Sequence, residues 1–152
     1  MRQAHFDSNN VLAVSSLCFL SAAIHRLWLS GDKEGRVEPF LENLPAYPDN
    51  IESGEDGSFW VAFASPRVPA EALMPYPMLR KILWRLGPSV RPAPIVHGID
   101  AQFDADGSII RVLQDSEGEL GITSGARAVG DYLYLGLLEG GFAARLRLEP
   151  RD

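Results

Sequence analysis

The chain has 152 residues, of which 46% are hydrophobic and 22% are charged, and this composition predicts one globular domain and excludes a disordered chain. The formal net charge of -6 argues against a nucleic-acid-binding protein, because such proteins carry a basic surface. The single cysteine, Cys18, excludes an internal disulfide and a cysteine-based zinc site. Fourteen glycines and eleven prolines predict frequent turns and short strands.

An apolar run at residues 11–24 follows a short polar start. It is too short to span a membrane comfortably, but it has the length of a signal-peptide core. Only one basic residue, Arg2, precedes the run, and Asp7 lies close before it. We therefore favour buried β-strands, with a signal peptide as the alternative. The corresponding expectation for localisation is cytoplasmic, with secretion as the minor alternative.

The first half of the chain reads as strands separated by turns. Alternating apolar and polar residues predict strands at 24–29, 37–41, 50–53 and 59–64. A polar turn with two glycines occupies 30–35, and Asp56-Gly57 is a hairpin signal. The pattern is typical of an all-β protein.

Residues 66–94 interrupt this pattern with seven prolines. Apolar residues between them recur at helical spacing and Pro77 suits a helix start, which predicts a short amphipathic helix near 75–87. The favoured interpretation is a lid packed on a β scaffold. The alternative is a membrane contact through residues 77–86, where Arg80, Lys81 and Arg85 are basic.

The strand pattern resumes after the insertion and contains a repeat. Strands are predicted at 97–103, 109–113, 122–128, 132–138 and 142–148. The segments that start at Arg26, Asp100 and Arg145 resemble one another, and 45 residues separate the last two. Without the 66–94 insertion, the first two are also 45 residues apart. This period matches a four-stranded propeller blade, and the length allows about two and a half to three blades.

The candidate site is the stretch 44–51, in which Asp49 and Asn50 follow two prolines. Carboxylate and amide oxygens suit calcium or magnesium. A plain Pro-Asp turn is the alternative interpretation. His97 is a second candidate, as a base at the mouth of a channel or as a structural histidine. Ser124 has no evident histidine and aspartate partners for a hydrolase triad.

Ordered motifs carry a family resemblance over residues 22–148. They are the segments Ile24-His25-Arg26-Leu27-Trp28-Leu29-Ser30-Gly31, Asn43-Leu44-Pro45, Tyr47-Pro48-Asp49-Asn50-Ile51, Asp56-Gly57-Ser58-Phe59-Trp60, Leu113-Gln114-Asp115 and Leu133-Tyr134-Leu135-Gly136. The chain resembles the strictosidine synthase-like proteins, within the wider group of gluconolactonase, regucalcin, paraoxonase and adipocyte plasma membrane-associated proteins. The resemblance implies the C-terminal half of a six-bladed β-propeller, formed by residues 1–152 as a single partial domain.

The resemblance also implies a site. Asp49 matches an aspartate that binds a central calcium in lactonase and paraoxonase members, and Asn50 matches the neighbouring asparagine. The glutamate ligand of earlier blades is missing, and residues 1–20 match poorly. Ser124 stands where true strictosidine synthases carry a glutamate, and it cannot perform a carboxylate's acid–base work. Pictet–Spengler condensation is therefore not expected.

Two functions follow from these observations. The first is a calcium-dependent hydrolase of small esters or lactones, or a part of one, in which Asp49 and Asn50 bind the metal and His97 assists. Its remaining ligands have to come from N-terminal blades or from a second copy. The alternative is a non-catalytic half-propeller that acts as an interaction module, because open sheet edges favour pairing with a partner.

Overall fold

The computed structural model describes residues 2–6, 11–15, 22–54, 57–73, 75–86, 95–138 and 141–149. Over these residues eleven strands form three antiparallel sheets. The first contains β1 (Arg2–Phe6), β2 (Val11–Ser15), β3 (Ile24–Trp28) and β4 (Val37–Leu41). The second contains β5 (Ala46–Ser53), β6 (Phe59–Pro66), β7 (Gly98–Phe103) and β8 (Ile109–Asp115). The third contains β9 (Thr123–Val129), β10 (Tyr132–Leu137) and β11 (Ala144–Arg147).

Each sheet is a meander in which consecutive strands pair, and we call the three sheets the first, second and third blade. The leading strands lie side by side, because β5 contacts β1 on one side and β9 on the other. Three antiparallel meanders with neighbouring inner strands are the arrangement of a partial propeller. The predicted fold class is therefore confirmed.

The 45-residue repeat corresponds to equivalent strands. The segments that begin at Arg26, Asp100 and Arg145 lie in β3, β7 and β11, which are the third strands of their blades. The helical insertion falls between β6 and β7 of the second blade and contains a 3₁₀ helix, Pro69–Leu73, and one α-helix, α1 (Pro77–Arg85). The extra residues therefore lengthen one connection and leave the blade repeat intact.

The insertion differs from the expected lid. The residues of α1 contact the 3₁₀ helix, and no side chain of α1 is buried. A lid packed on the β scaffold is therefore not seen among the described residues. The helix carries three basic residues, Arg80, Lys81 and Arg85, within its nine positions. None of the described helices is long and apolar enough to cross a bilayer.

The core consists of the two faces of the second blade. Residues 59–63 of β6 are all at most 5% exposed. Because side chains alternate along a strand, Phe59, Val61 and Phe63 pack in the cluster shared with the first blade, whereas Trp60 and Ala62 pack toward the third blade. The central blade is thus apolar on both sides and joins its two neighbours.

The stacked pair Phe59–Phe103 generates a test of this core. The ring centroids are 5.5 Å apart, and Phe103 is 2% exposed. We expect Phe103→Ala to lower the free energy of unfolding by about 3–5 kcal/mol, because it removes a buried ring and leaves a cavity. Urea denaturation measures the change. Phe142→Ala is the matched control, since Phe142 is 58% exposed and its loss should leave stability nearly unchanged.

Candidate functional site

Asp49 and Asn50 lie on a β-bulge in the innermost strand of the second blade. Pro48 pairs with Phe63 and Ile51 pairs with Val61, so two residues of β5 stand opposite the single residue Ala62. A bulge of this kind bends the strand and redirects its side chains. Strand β5 also begins at Ala46, four residues earlier than the sequence pattern indicates, so the alternative of a Pro-Asp turn is wrong.

A proline within β5 is tolerated for a structural reason. The strand is the inner edge of its sheet and pairs only with β6 in that sheet. Register shifts flank Pro48 on both sides. Proline lacks an N–H group and is accepted at sheet edges and bulges. Of the two prolines that suggested a turn, Pro48 therefore lies within an irregular edge strand, and Pro45 directly precedes it.

The Asn50 side chain joins two blades. Its Nδ2 atom donates a hydrogen bond to the backbone carbonyl of Ser124 on β9. This bond orients the amide, so that Oδ1 is the atom of Asn50 that can coordinate a cation or bind a ligand. Asp49 is 4% exposed, which places its carboxylate in a less polar environment than water. Ser124 contributes through its backbone, which sequence motifs do not reveal.

The donors suit a hard cation but supply only part of a coordination shell. Calcium takes six to eight oxygen ligands. Asp49 and Asn50 provide a carboxylate and an amide oxygen. Within the described part of the chain, no group of three or more His, Cys, Asp and Glu side chains is placed to hold a metal ion. A complete calcium site at this bulge would need further oxygen ligands, such as backbone carbonyls, water or side chains from another part of the protein.

His97 lies apart from this pair. It is half-buried and directly precedes β7, the third strand of the blade. The register aligns the bulge with Ala62 and Asp100, so His97 is two strand spacings from β5, about 10 Å, and three residues along β7. The structure therefore does not bring His97 together with Asp49 and Asn50. Its role as a base remains a prediction.

Asp100 is a buried polar residue that the sequence patterns did not single out. It pairs with Ala62 on β6 and is 3% exposed. Burial raises the pKa of this carboxyl to about 7, and a hydrogen bond with Thr123 opposes the effect only in part. Its Oδ1 atom and the Nε1 atom of Trp60 are buried without a hydrogen-bond partner among the described residues. An aspartate between Ile99 and Ala101 in a strand was the available signal.

The link from Asn50 to Ser124 generates a prediction on stability. We expect Asn50→Ala to lower the free energy of unfolding by about 1–2 kcal/mol, because the carbonyl of Ser124 loses its donor. Asn50→Asp should cost more, since a carboxylate would face a carbonyl oxygen. Urea denaturation distinguishes the two. Equal stability of both variants and the unchanged protein would show that the bridge between the blades contributes nothing.

The chain is similar in sequence to two groups of curated proteins, the adipocyte plasma membrane-associated proteins and the strictosidine synthase-like proteins. It is 31% identical to the adipocyte plasma membrane-associated protein of Bos taurus over 133 residues, which are 82% of this chain and 32% of the relative. It is 35% identical to strictosidine synthase-like protein 13 of Arabidopsis thaliana, over 62% of this chain and 25% of the relative. It is 38% identical to strictosidine synthase-like protein 6 of the same plant, over 75% of this chain and 31% of the relative.

The chain spans about a third of the length of these curated relatives. No family model matches it. The relatives do not favour the alternative of a non-catalytic half-propeller. These similarities agree with the family resemblance that the motifs at 24–31, 43–51 and 56–60 carry. The three blades agree with the fold which that resemblance implies. The chain therefore belongs to the family of strictosidine synthase-like and adipocyte plasma membrane-associated proteins.

Proposed function

We propose that this chain supplies part of the active site of a divalent-cation-dependent hydrolase of small esters or lactones, with calcium as the expected cation. The observation that supports the proposal is the position of Asp49 and Asn50. Both lie on the bulge of β5, where the inner strands of neighbouring blades meet. Asp49 is buried there, and Asn50 is oriented by its hydrogen bond to Ser124.

The chemistry follows from these two residues. A bound divalent cation would supply polarisation of a carbonyl group. The carboxylate of Asp49 would balance part of the positive charge, and burial strengthens such an interaction because water screens it less. Asn50 would hold its Oδ1 atom in a fixed direction. The remaining oxygen ligands would come from further blades of a longer protein or from a second copy of this chain.

Calcium titration tests the metal site. We expect isothermal titration calorimetry to detect calcium binding by the unchanged protein at concentrations up to about 10 mM, because few protein ligands give weak sites. Asp49→Asn should weaken this binding at least tenfold. Asp32→Asn is the matched control, since Asp32 lies in an exposed turn and should have no effect. A well-folded protein that binds no calcium would contradict the proposal.

Hydrolysis of phenyl acetate and of a simple lactone then tests the reaction. Activity should require calcium, disappear with a chelator and fall at least tenfold in Asp49→Asn. Activity that is equal in Asp49→Asn and the unchanged protein would remove this carboxylate from the mechanism even if calcium binds. His97→Gln would show whether His97 has a part in the reaction.

A second candidate function is supported by α1, which we propose contacts an anionic membrane surface. Met78 is 69% exposed, Trp84 is 70% exposed and Ile82 is 54% exposed. The helix contains no acidic residue, and it carries Arg80, Lys81 and Arg85. Apolar side chains beside basic ones on one helix suit a lipid surface with negative headgroups. The charge of this helix is opposite to the net charge of the chain.

Vesicle co-sedimentation tests the membrane contact. We expect binding to vesicles that contain phosphatidylserine and weaker binding to pure phosphatidylcholine. Charge reversal at both Arg80 and Lys81 should reduce binding about tenfold or more, since each basic residue contributes about 1 kcal/mol. Arg36→Glu, in an exposed loop, is the matched control. Binding that survives the double reversal would remove α1 as the contact.

A further inference from the structure

Two complementary polar groups are buried in the interface between the second and third blades. The Oδ1 atom of Asp100 and the Nε1 atom of Trp60 have no hydrogen-bond partner among the described residues. An ionised carboxylate only accepts hydrogen bonds, and an indole N–H group only donates them. Most buried polar groups in proteins are satisfied, so an open acceptor and an open donor in one interface need an explanation.

The strand register places these two groups near each other. Asp100 on β7 pairs with Ala62 on β6, and Trp60 lies two residues before Ala62, so both side chains share the face that packs toward the third blade. They are diagonal neighbours on adjacent strands, a separation of typically about 7–8 Å that an aromatic side chain can span. Both are enclosed, since Asp100 is 3% exposed and Trp60 is 0% exposed.

The arginines around this interface are directed elsewhere. Arg111 on β8 donates to a backbone carbonyl at 2.9 Å. The guanidinium of Arg145 on β11 lies 4.5 Å from the ring centroid of Tyr132. Because side chains alternate along β9 and β11, Arg127 and Arg145 point away from the second blade. Within the described part of the chain, none of these three cations is therefore directed at Asp100.

The other polar groups near Asp100 do not supply a free donor. The hydroxyl of Thr123 donates to the carbonyl of Ile99 at 3.2 Å, and its single proton cannot serve the carboxylate at the same time. The acids on the neighbouring strands and on the loop after β8 add negative charge, which disfavours ionisation of Asp100. These acids are Asp49, Glu52, Asp115, Glu117 and Glu119.

We propose that Asp100 and Trp60 form a proton-controlled contact within this interface. While the carboxyl is protonated, the two groups stay unpaired, as in the structure. When the carboxyl releases its proton to solvent, the indole N–H group turns and donates a hydrogen bond to Oδ1, which changes the packing of the second blade on the third. A hydrogen bond to an ionised acceptor is stronger than one to a neutral acceptor. This contact is independent of the proposed hydrolase chemistry at Asp49.

The pH range of the transition follows from the burial of Asp100. Burial raises the pKa of this carboxyl from 3.8 to about 7. Between these values the folded protein keeps a proton that the unfolded chain has lost, so this group favours the folded state at low pH and the benefit disappears as the pH rises toward 7. Relative to Asp100→Asn, the unfolding constant should rise on the order of 50-fold from pH 5 to pH 7. Urea denaturation measures this ratio, and a constant ratio would contradict a buried neutral acid.

NMR of the full chain tests the contact through the indole N–H signals between pH 5 and pH 8. We expect the signal of Trp60 to move downfield with a midpoint near pH 7. Trp28 donates to Glu38 at 2.9 Å and Trp84 is 70% exposed, so their signals are internal controls that should stay in place. In Asp100→Asn the signal of Trp60 should no longer depend on pH.

A second variant keeps the test decisive if Asp100→Asn fails to fold. Trp60→Phe retains a buried aromatic ring and removes the indole donor. The midpoint of Asp100, read from the signal of its carboxyl carbon, should then rise by about one pH unit, because the ionised form has lost its hydrogen bond. An unchanged midpoint would overturn the proposal.

Three further results would also overturn the proposal. The first is a Trp60 signal that stays in place while the carboxyl of Asp100 titrates. The second is a carboxyl that is ionised throughout the range from pH 5 to pH 8. The third is an equal movement of all three indole signals, because it would indicate a change of the whole protein and not a contact between these two side chains.

Discussion

The structure depends on β6, a strand that is buried on both faces. Alternation sends Phe59, Val61 and Phe63 toward the first blade and Trp60 and Ala62 toward the third. The two neighbouring sheets therefore pack against opposite sides of one strand, and their leading strands are brought beside β5. Because the apolar faces set how the blades meet, they also set which polar residues can approach one another across the interfaces.

The positions of three polar residues follow from this packing. The bulge at Asp49 and Asn50 lies opposite Ala62, and Ala62 pairs with Asp100, so the polar residues occupy one row across the second blade. At the inner end of the row, Asn50 reaches the neighbouring strand β9. Farther out, Asp100 faces the third blade within an apolar interface. One strand register thus places the oxygen-bearing side chains of Asp49 and Asn50 at the inner edge of the blade and the single buried carboxyl of Asp100 in an apolar interface farther out.

Much of this fold can be predicted from the sequence, because alternation, Asp-Gly turns and the 45-residue period are local or regular signals. The start of β5 cannot, since Pro48 at an edge bulge looks like a turn residue until the pairing with Phe63 is known. Asp100 was overlooked because the alternation Ile99-Asp100-Ala101-Gln102-Phe103 predicts a strand with one polar, solvent-exposed face, whereas every residue of β7 is buried. The partnership of Asn50 with Ser124 spans 74 residues, and its acceptor is a backbone atom.

That choice of acceptor leaves one position open to change. The anchor for Asn50 is the carbonyl oxygen of residue 124, which every amino acid possesses. The side chain at this position therefore takes no part in the hydrogen bond from Asn50 that links the two blades. A serine, a carboxylate or an amide can replace one another there while the link from the second blade stays in place. Position 124 on the inner strand β9 can therefore carry side chains of different chemistry while the contact between the two blades is kept.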